Sequence, residues 1–212
     1  MAIMQRVKDK PGQFFIPSLG KYINIVEWRV GDRYDTAVTA SGAITAGTQK
    51  TFFRDLTNKD LNDANFPQPK RILGTGEEMV LERVGVYFPL AVGNTQVVPP
   101  DIKKAADGSY VELKVNRDQV AAGPAVHFPS GYGLAGQTTD NAQGIVTNGI
   151  ASSAAAQKLA REQELTPNSE VDGVLTYFDH LWDTTNMATL AGKVWTRVVL
   201  HGLIKEAATR GT

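Results

Sequence analysis

The sequence predicts an all-β fold, an eight-stranded antiparallel sandwich with one inserted helix. Three observations predict it. Two long apolar, β-branched runs stand far apart, Met79 to Leu90 (MVLERVGVYFPL) and Val194 to Ile204 (VWTRVVLHGLI). A third run, Tyr110 to Val115 (YVELKV), alternates apolar and polar residues with the period of a half-buried strand. The connections are dotted with Gly, Pro, Asn and Asp, and no alternating strand–helix rhythm appears, so a doubly wound parallel sheet is disfavoured.

The elements follow in order. Met1 to Gly12 reads as an N-terminal arm: Arg6, Lys8 and Lys10 stand against Asp9, and Pro11-Gly12 ends it. Such termini commonly fray; the functional alternative is an arm that contacts a neighbour, a membrane face or a genome. Residues 13–212 are expected to form one domain. Tyr22 to Trp28 is rich in β-branched and aromatic residues and suits a strand. Thr36 to Ala40 suits a thin strand before a Ser41-Gly42 turn, and Thr48 to Leu56 a short one. Asn58 to Lys70 is a loop, because Pro67 and Pro69 exclude regular structure. Within Met79 to Leu90 the alternation slips at Glu82-Arg83-Val84, which implies a bulge or a strand buried on both faces. Thr95 to Val98 and Ala125 to Phe128 suit short strands, and Asp107-Gly108 a turn. Ser130 to Gly149, rich in Gly, Thr, Asn and Gln, reads as a long loop. Ala151 to Leu165 (ASSAAAQKLAREQEL) is the expected helix: a serine can cap it, alanine favours it, and Thr166-Pro167 stops it. Leu159 would be its apolar anchor on an otherwise exposed helix. Val174 to Trp182 suits either a strand or a helix. Eight short strands separated by turns is the number of a jelly roll.

Composition limits the function. With 212 residues and a 42% hydrophobic share, the chain can bury a substantial core. Twenty-two basic and 22 acidic side chains leave no net charge, so no long-range attraction to nucleic acid or an anionic membrane is expected. A neutral subunit is also tolerant of assembly, since self-repulsion is small. The absence of cysteine excludes disulfides and thiolate chemistry. No apolar run approaches the roughly 20 residues of a membrane-spanning helix, and the first residues lack the apolar stretch of a secretory leader.

Candidate chemistry is sparse. The histidines are His127, His180 and His201. Asp179-His180 with Asp183 offers one local trio, but metal ligands usually converge from several elements, and a polar patch is the preferred reading. His201 sits within a strand run and suits a hydrogen-bonded strand histidine. Ser130-Gly131-Tyr132-Gly133 lacks the preceding glycine of a nucleophile elbow. Gly74-Thr75-Gly76 is a turn, with no Gly-Lys-Ser/Thr of a phosphate loop after it. Glu77, Glu78 and Glu82 suit solvent-facing charge. No cofactor and no metal are expected.

Several phrases resemble the major capsid proteins, of single jelly-roll type, of tailless icosahedral bacterial viruses, some of which contain an internal membrane. They are Phe53-Arg54-Asp55-Leu56-Thr57, then Leu61-Asn62-Asp63-Ala64-Asn65-Phe66, then the strand Glu78 to Val86, and the ending Val198-Val199-Leu200-His201-Gly202. The resemblance implies a structural, non-enzymatic subunit that self-assembles into an icosahedral shell of the virion. Its partners would be copies of itself, alongside a second capsid protein, minor vertex proteins or an internal membrane, with no specific nucleic acid. Expected assembly contacts are Arg6, Lys8, Lys10, Phe14, Phe15 and Leu159. The competing reading is a carbohydrate- or receptor-binding β-sandwich, which needs a groove with exposed aromatics. A cupin-like enzyme would need several histidines and glutamates on one metal, and three scattered histidines disfavour it.

Overall fold

Period-2 burial organises the molecule. A computed structural model of the chain describes residues 5–6, 13–24, 27–40, 42, 44, 46–61, 63–88, 102, 105–130, 135–137, 145–147, 156–178 and 193–205. Thirteen strands lie among them. Eight build two antiparallel four-stranded sheets that face each other across one core. Sheet I contains β4 (Trp28–Thr39), β6 (Glu78–Tyr87), β11 (Gln157–Leu165) and β13 (Val194–Lys205), in the order β11-β6-β13-β4. Sheet II contains β5 (Gln49–Phe52), β7 (Ser109–Val115), β8 (Asp118–Pro124) and β12 (Val171–Tyr177), in the order β5-β12-β7-β8. Successive strands of the sandwich switch sheets at every connection except the β7–β8 hairpin. The all-β antiparallel expectation holds.

The core is filled from both inner faces. Met79, Leu81, Val84, Val198, Leu200 and Ile204 of sheet I meet Phe52, Val111, Leu113, Val171, Leu175 and Tyr177 of sheet II in one cluster. β7 and β12 alternate buried and half-buried residues without a break, because their outer face meets water. β6 and β13 are buried on both faces over much of their length. Their outer side chains Val80 and Leu203 are covered by a separate three-stranded sheet, β1 (Gln5–Arg6), β2 (Gln13–Ile16) and β3 (Lys21–Asn24). That double burial explains the near-continuous apolar reading of both runs.

The slip at Glu82 is a bulge. His201 pairs with Arg83 and Gly202 with Leu81, so Glu82 is one residue too many for β13. Gly202 is required at this point: an added Cβ would lie 1.9 Å from the carbonyl oxygen of Val80.

Several expectations are corrected. The inserted helix over Ala151 to Leu165 does not form across its described part: Gln157–Leu165 is β11, an edge strand paired with β6; residues 151–155 lie outside the described residues. The cause is a register irregularity between Lys158 and Gln163, opposite the Glu82 bulge. It places Leu159, Glu162 and Leu165 inward at three-residue spacing, which imitates a helical stripe. Pairing with β6 overrides the helix propensity of the alanines and glutamates. Ala125 to Phe128 is no strand; Ala125–His127 is a 3-10 turn following β8, a strand not expected. The thin strand at Thr36 is the end of the 12-residue β4. β9 (Ala135–Gln137) and β10 (Ile145–Thr147) pair within the expected long loop. Val174 to Trp182 resolves as strand β12 through Tyr177. Thr95 to Val98 lies outside the described residues.

Candidate assembly surfaces

The first surface is built by β1–β3. Phe14, Ile16 and Ile23 share the inner side of this small sheet, and pack with Leu19 on Trp28, Val80 and Leu203. The β2–β3 turn is Pro17-Ser18-Leu19-Gly20, with Gly20 at φ 63° where a side chain would be strained. Alternation sends the neighbouring residues outward. Phe15 pairs with Tyr22 across the two strands, their ring centroids 4.9 Å apart at 41°. Tyr22 is 59% exposed, so this ring pair lies on the surface.

An ion cluster fastens the small sheet to sheet I. Lys21 Nζ donates to Glu78 Oε2 at 2.8 Å and to Glu164 Oε1, and lies 5.8 Å from the Trp28 ring centroid. Lys205 approaches both Glu78 and Glu27 at 3.5 Å. Burial draws the Lys21 ammonium pKa down, but its hydrogen bonds to Glu164 and Glu78 outweigh this and hold it above the ordinary lysine value. The Lys21 hydrogen bond in turn holds the Glu78 carboxyl below its ordinary value.

The second surface is the loop region between β5 and β6, organised by Asp35. This carboxylate is fully buried on β4, and it accepts from Phe53 N at 2.6 Å, Thr36 N at 2.8 Å and Lys59 Nζ at 2.5 Å. Burial pushes its carboxyl pKa up, against the pull of Lys59 and the two amides. The bond to Phe53 N secures a residue held at φ 63°. Asn65 then completes the edge of β4 with its side chain: its Oδ1 accepts from Tyr34 N at 2.6 Å and its Nδ2 donates to Asp32 O at 3.2 Å. On the far side, the Arg54 guanidinium donates twice to the Asp172 carboxylate at 2.5 Å, a bidentate pair that ties the same loop to β12.

All four sandwich edges are protected against strand addition. The Asn65 segment covers part of β4, and β5 is only four residues long. β8 carries a bulge at Val120 and ends at Pro124. β11 is irregular and rich in charged residues. Between β8 and β11 lies a cleft of about 350 Å³, lined by Ala121, His127, Phe128, Lys158 and Leu159 among others.

The expected contact residues are scattered by the structure. Arg6 stands in β1, opposite Phe14 in register; Lys8 and Lys10 lie outside the described residues. Phe14 faces the body and Phe15 the surface. Leu159 is 5% exposed and belongs to the main core, so it is not a surface anchor. Tyr22 was missed as a contact, although the Pro-Ser-Leu-Gly turn between two aromatic-bearing strands was a legible sign that it faces Phe15.

The chemistry candidates take structural places. His201 Nε2 lies 3.1 Å from the Ser130 carbonyl, and burial lowers its pKa. Glu77 accepts from Gly74 N at 2.8 Å and Arg33 Nη2 at 2.9 Å, closing the expected Gly74–Gly76 turn. Glu82 is buried in its bulge rather than solvent-facing. Asp179, His180 and Asp183 lie outside the described residues. Among the described residues no group of three or more His, Asp or Glu is placed to hold a metal ion. No known protein family and no curated protein matches the chain.

Proposed function

We propose that this protein is a structural subunit that assembles with copies of itself into a closed shell, as the capsid of a tailless virus. The observation carrying this reading is the strand order. β11-β6-β13-β4 over β5-β12-β7-β8, with the chain switching sheets at nearly every step, reads as a jelly roll of two interlocked Greek keys. The long connections leave the ends of such a sandwich, where they reach neighbouring copies without opening its sheets. The protected edges suit the same role, because a subunit packed at high local concentration must not join its neighbours by uncontrolled strand addition. The arm Met1–Gly12 and the face bearing Phe15 are the expected contacts.

The Phe15–Tyr22 pair, with Tyr22 exposed, favours a second reading, a glycan- or receptor-binding module, since sugars stack on exposed rings. Negative-stain electron microscopy with size-exclusion chromatography separates the two. The shell reading expects rings, sheets or closed particles of uniform size. A protein that stays monomeric at high concentration sinks it, and retention of that monomer on immobilised oligosaccharide favours the module.

A further inference from the structure

The outer face of the small β1–β3 sheet differs in composition from the outer face of sheet II. By register its residues are Gln5, Phe15 and Tyr22 in one row, and Gln13 and Asn24 beside them. No charged residue is in these rows. Lys21 stands in the opposite row and is engaged by Glu78 and Glu164, and Arg6 is in the row of Phe14. The outer face of sheet II is the contrast: there Asp172 stands opposite Lys114, beside Glu112, and Arg54 reaches Asp172. Aromatic enrichment with depletion of charge is the signature of an interface core.

We infer that this face pairs with the same face of a second copy of the chain. The inference rests on the shell reading above and names its contact. Three arguments select a second copy. In a twofold contact a residue near the axis meets its own copy, so a charge at the centre of the patch would meet its like. Among the described residues this face presents none. Its exposed polar side chains, those of Gln5 and Asn24, are amides, which donate and accept at once and can therefore bond to copies of themselves, as a carboxylate or an ammonium cannot. Its centre is a tilted ring pair with Tyr22 largely uncovered, so a second pair packs against rings already held in contact, at little entropic cost. The face is also firmly mounted. The apolar contacts of Phe14, Ile16 and Ile23 and the Lys21 cluster join it to sheet I, so contact made there fixes the orientation of the whole sandwich. With the sandwich edges protected, strand addition at an edge does not compete with a contact through this face.

Sedimentation velocity on the full chain tests this, comparing wild type with Tyr22→Glu and Tyr22→Phe, with thermal unfolding recorded for each. Tyr22 is exposed, so both variants should unfold near the wild-type temperature. Tyr22→Glu places two like charges at the contact and should weaken association at least about tenfold, the effect of losing a central aromatic. Tyr22→Phe keeps the stack and should associate as wild type does. If wild type associates and Tyr22→Glu associates equally well, this face is not the contact and the inference falls while the shell reading stands. If wild type does not associate at any concentration, the shell reading itself falls. If Tyr22→Glu associates normally but loses retention on an oligosaccharide column, the face belongs to a glycan and the inference is overturned.

Discussion

Asp35 shows how one residue determines the shape of a loop. Its carboxylate receives two backbone amides and an ammonium inside the protein, and a buried polar group so placed is costly to remove. Asp35→Ala leaves the amides of Thr36 and Phe53 without acceptors and should cost about 3 kcal/mol, read as a lower midpoint in urea unfolding. Gly202 is constrained by space instead. Gly202→Ala drives a methyl into the Val80 carbonyl, and the expected loss is about 3 kcal/mol, lowering Tm by roughly 6–12 °C for a domain of this size. His201 supplies a pH dependence. Burial lowers its folded pKa below the ordinary 6.5, so as pH falls through that value the unfolded chain takes up a proton that the folded chain resists. Stability should therefore fall from about pH 6.5 down to the folded pKa and level off below it. The charged groups facing the ring are Asp32 on β4 and Arg83 on β6. His201→Gln should flatten that segment of the Tm–pH curve; an unchanged curve would show that His201 does not carry it.

At the scale of elements, β11 is the instructive case. A helix at this place would make Leu159 a surface contact, and Leu159→Asp a selective assembly variant. As a strand, β11 points Leu159 into the main core, so Leu159→Asp should cost more than the about 2–5 kcal/mol of a leucine truncation and abolish the folded state. A folded but unassembled Leu159→Asp protein, seen by near-ultraviolet circular dichroism, would contradict this placement. The small β1–β3 sheet behaves differently, since part of its attachment is ionic. The Lys21 side chain is about a third exposed, and solvent screening limits its pairs with Glu78 and Glu164 to about 1 kcal/mol together. Lys21→Met should therefore lower stability slightly and remove most of the sensitivity to salt that this cluster confers.

For the whole molecule, the two outer faces are unlike. Sheet II presents a polar, charged face to water, while the N-terminal sheet covers the outer side of sheet I at Trp28, Val80 and Leu203. Under the shell proposal, the two unlike faces would suit the inside and the outside of the shell. Deleting residues Met1–Gly12 removes β1 and leaves β2 and β3 in place, so the truncated chain should keep its Tm within a few degrees and change the size or yield of its assemblies. Unchanged particles would remove the arm from the set of contacts.

Sequence alone determined the strands whose side chains alternate or whose apolar runs are long. β6, β7 and β13 were legible to within three residues, as was the slip at Glu82, because burial on a pleated sheet has a period that no other structure shares. The Asn58–Lys70 loop was legible from its prolines. Only the tertiary structure decided β11 and β8. Their residues have helical or small-residue propensities, and they are strands because β6 and β7 offer them unpaired backbone groups, a preference of order 1 kcal/mol per residue yielding to a ladder of hydrogen bonds. The candidate surface was half legible. Phe15 stood out in the sequence, but the partner that completes it, Tyr22, and the inward turn of Phe14 and Leu159 depend on register and on packing between distant segments, which no local stretch of sequence contains.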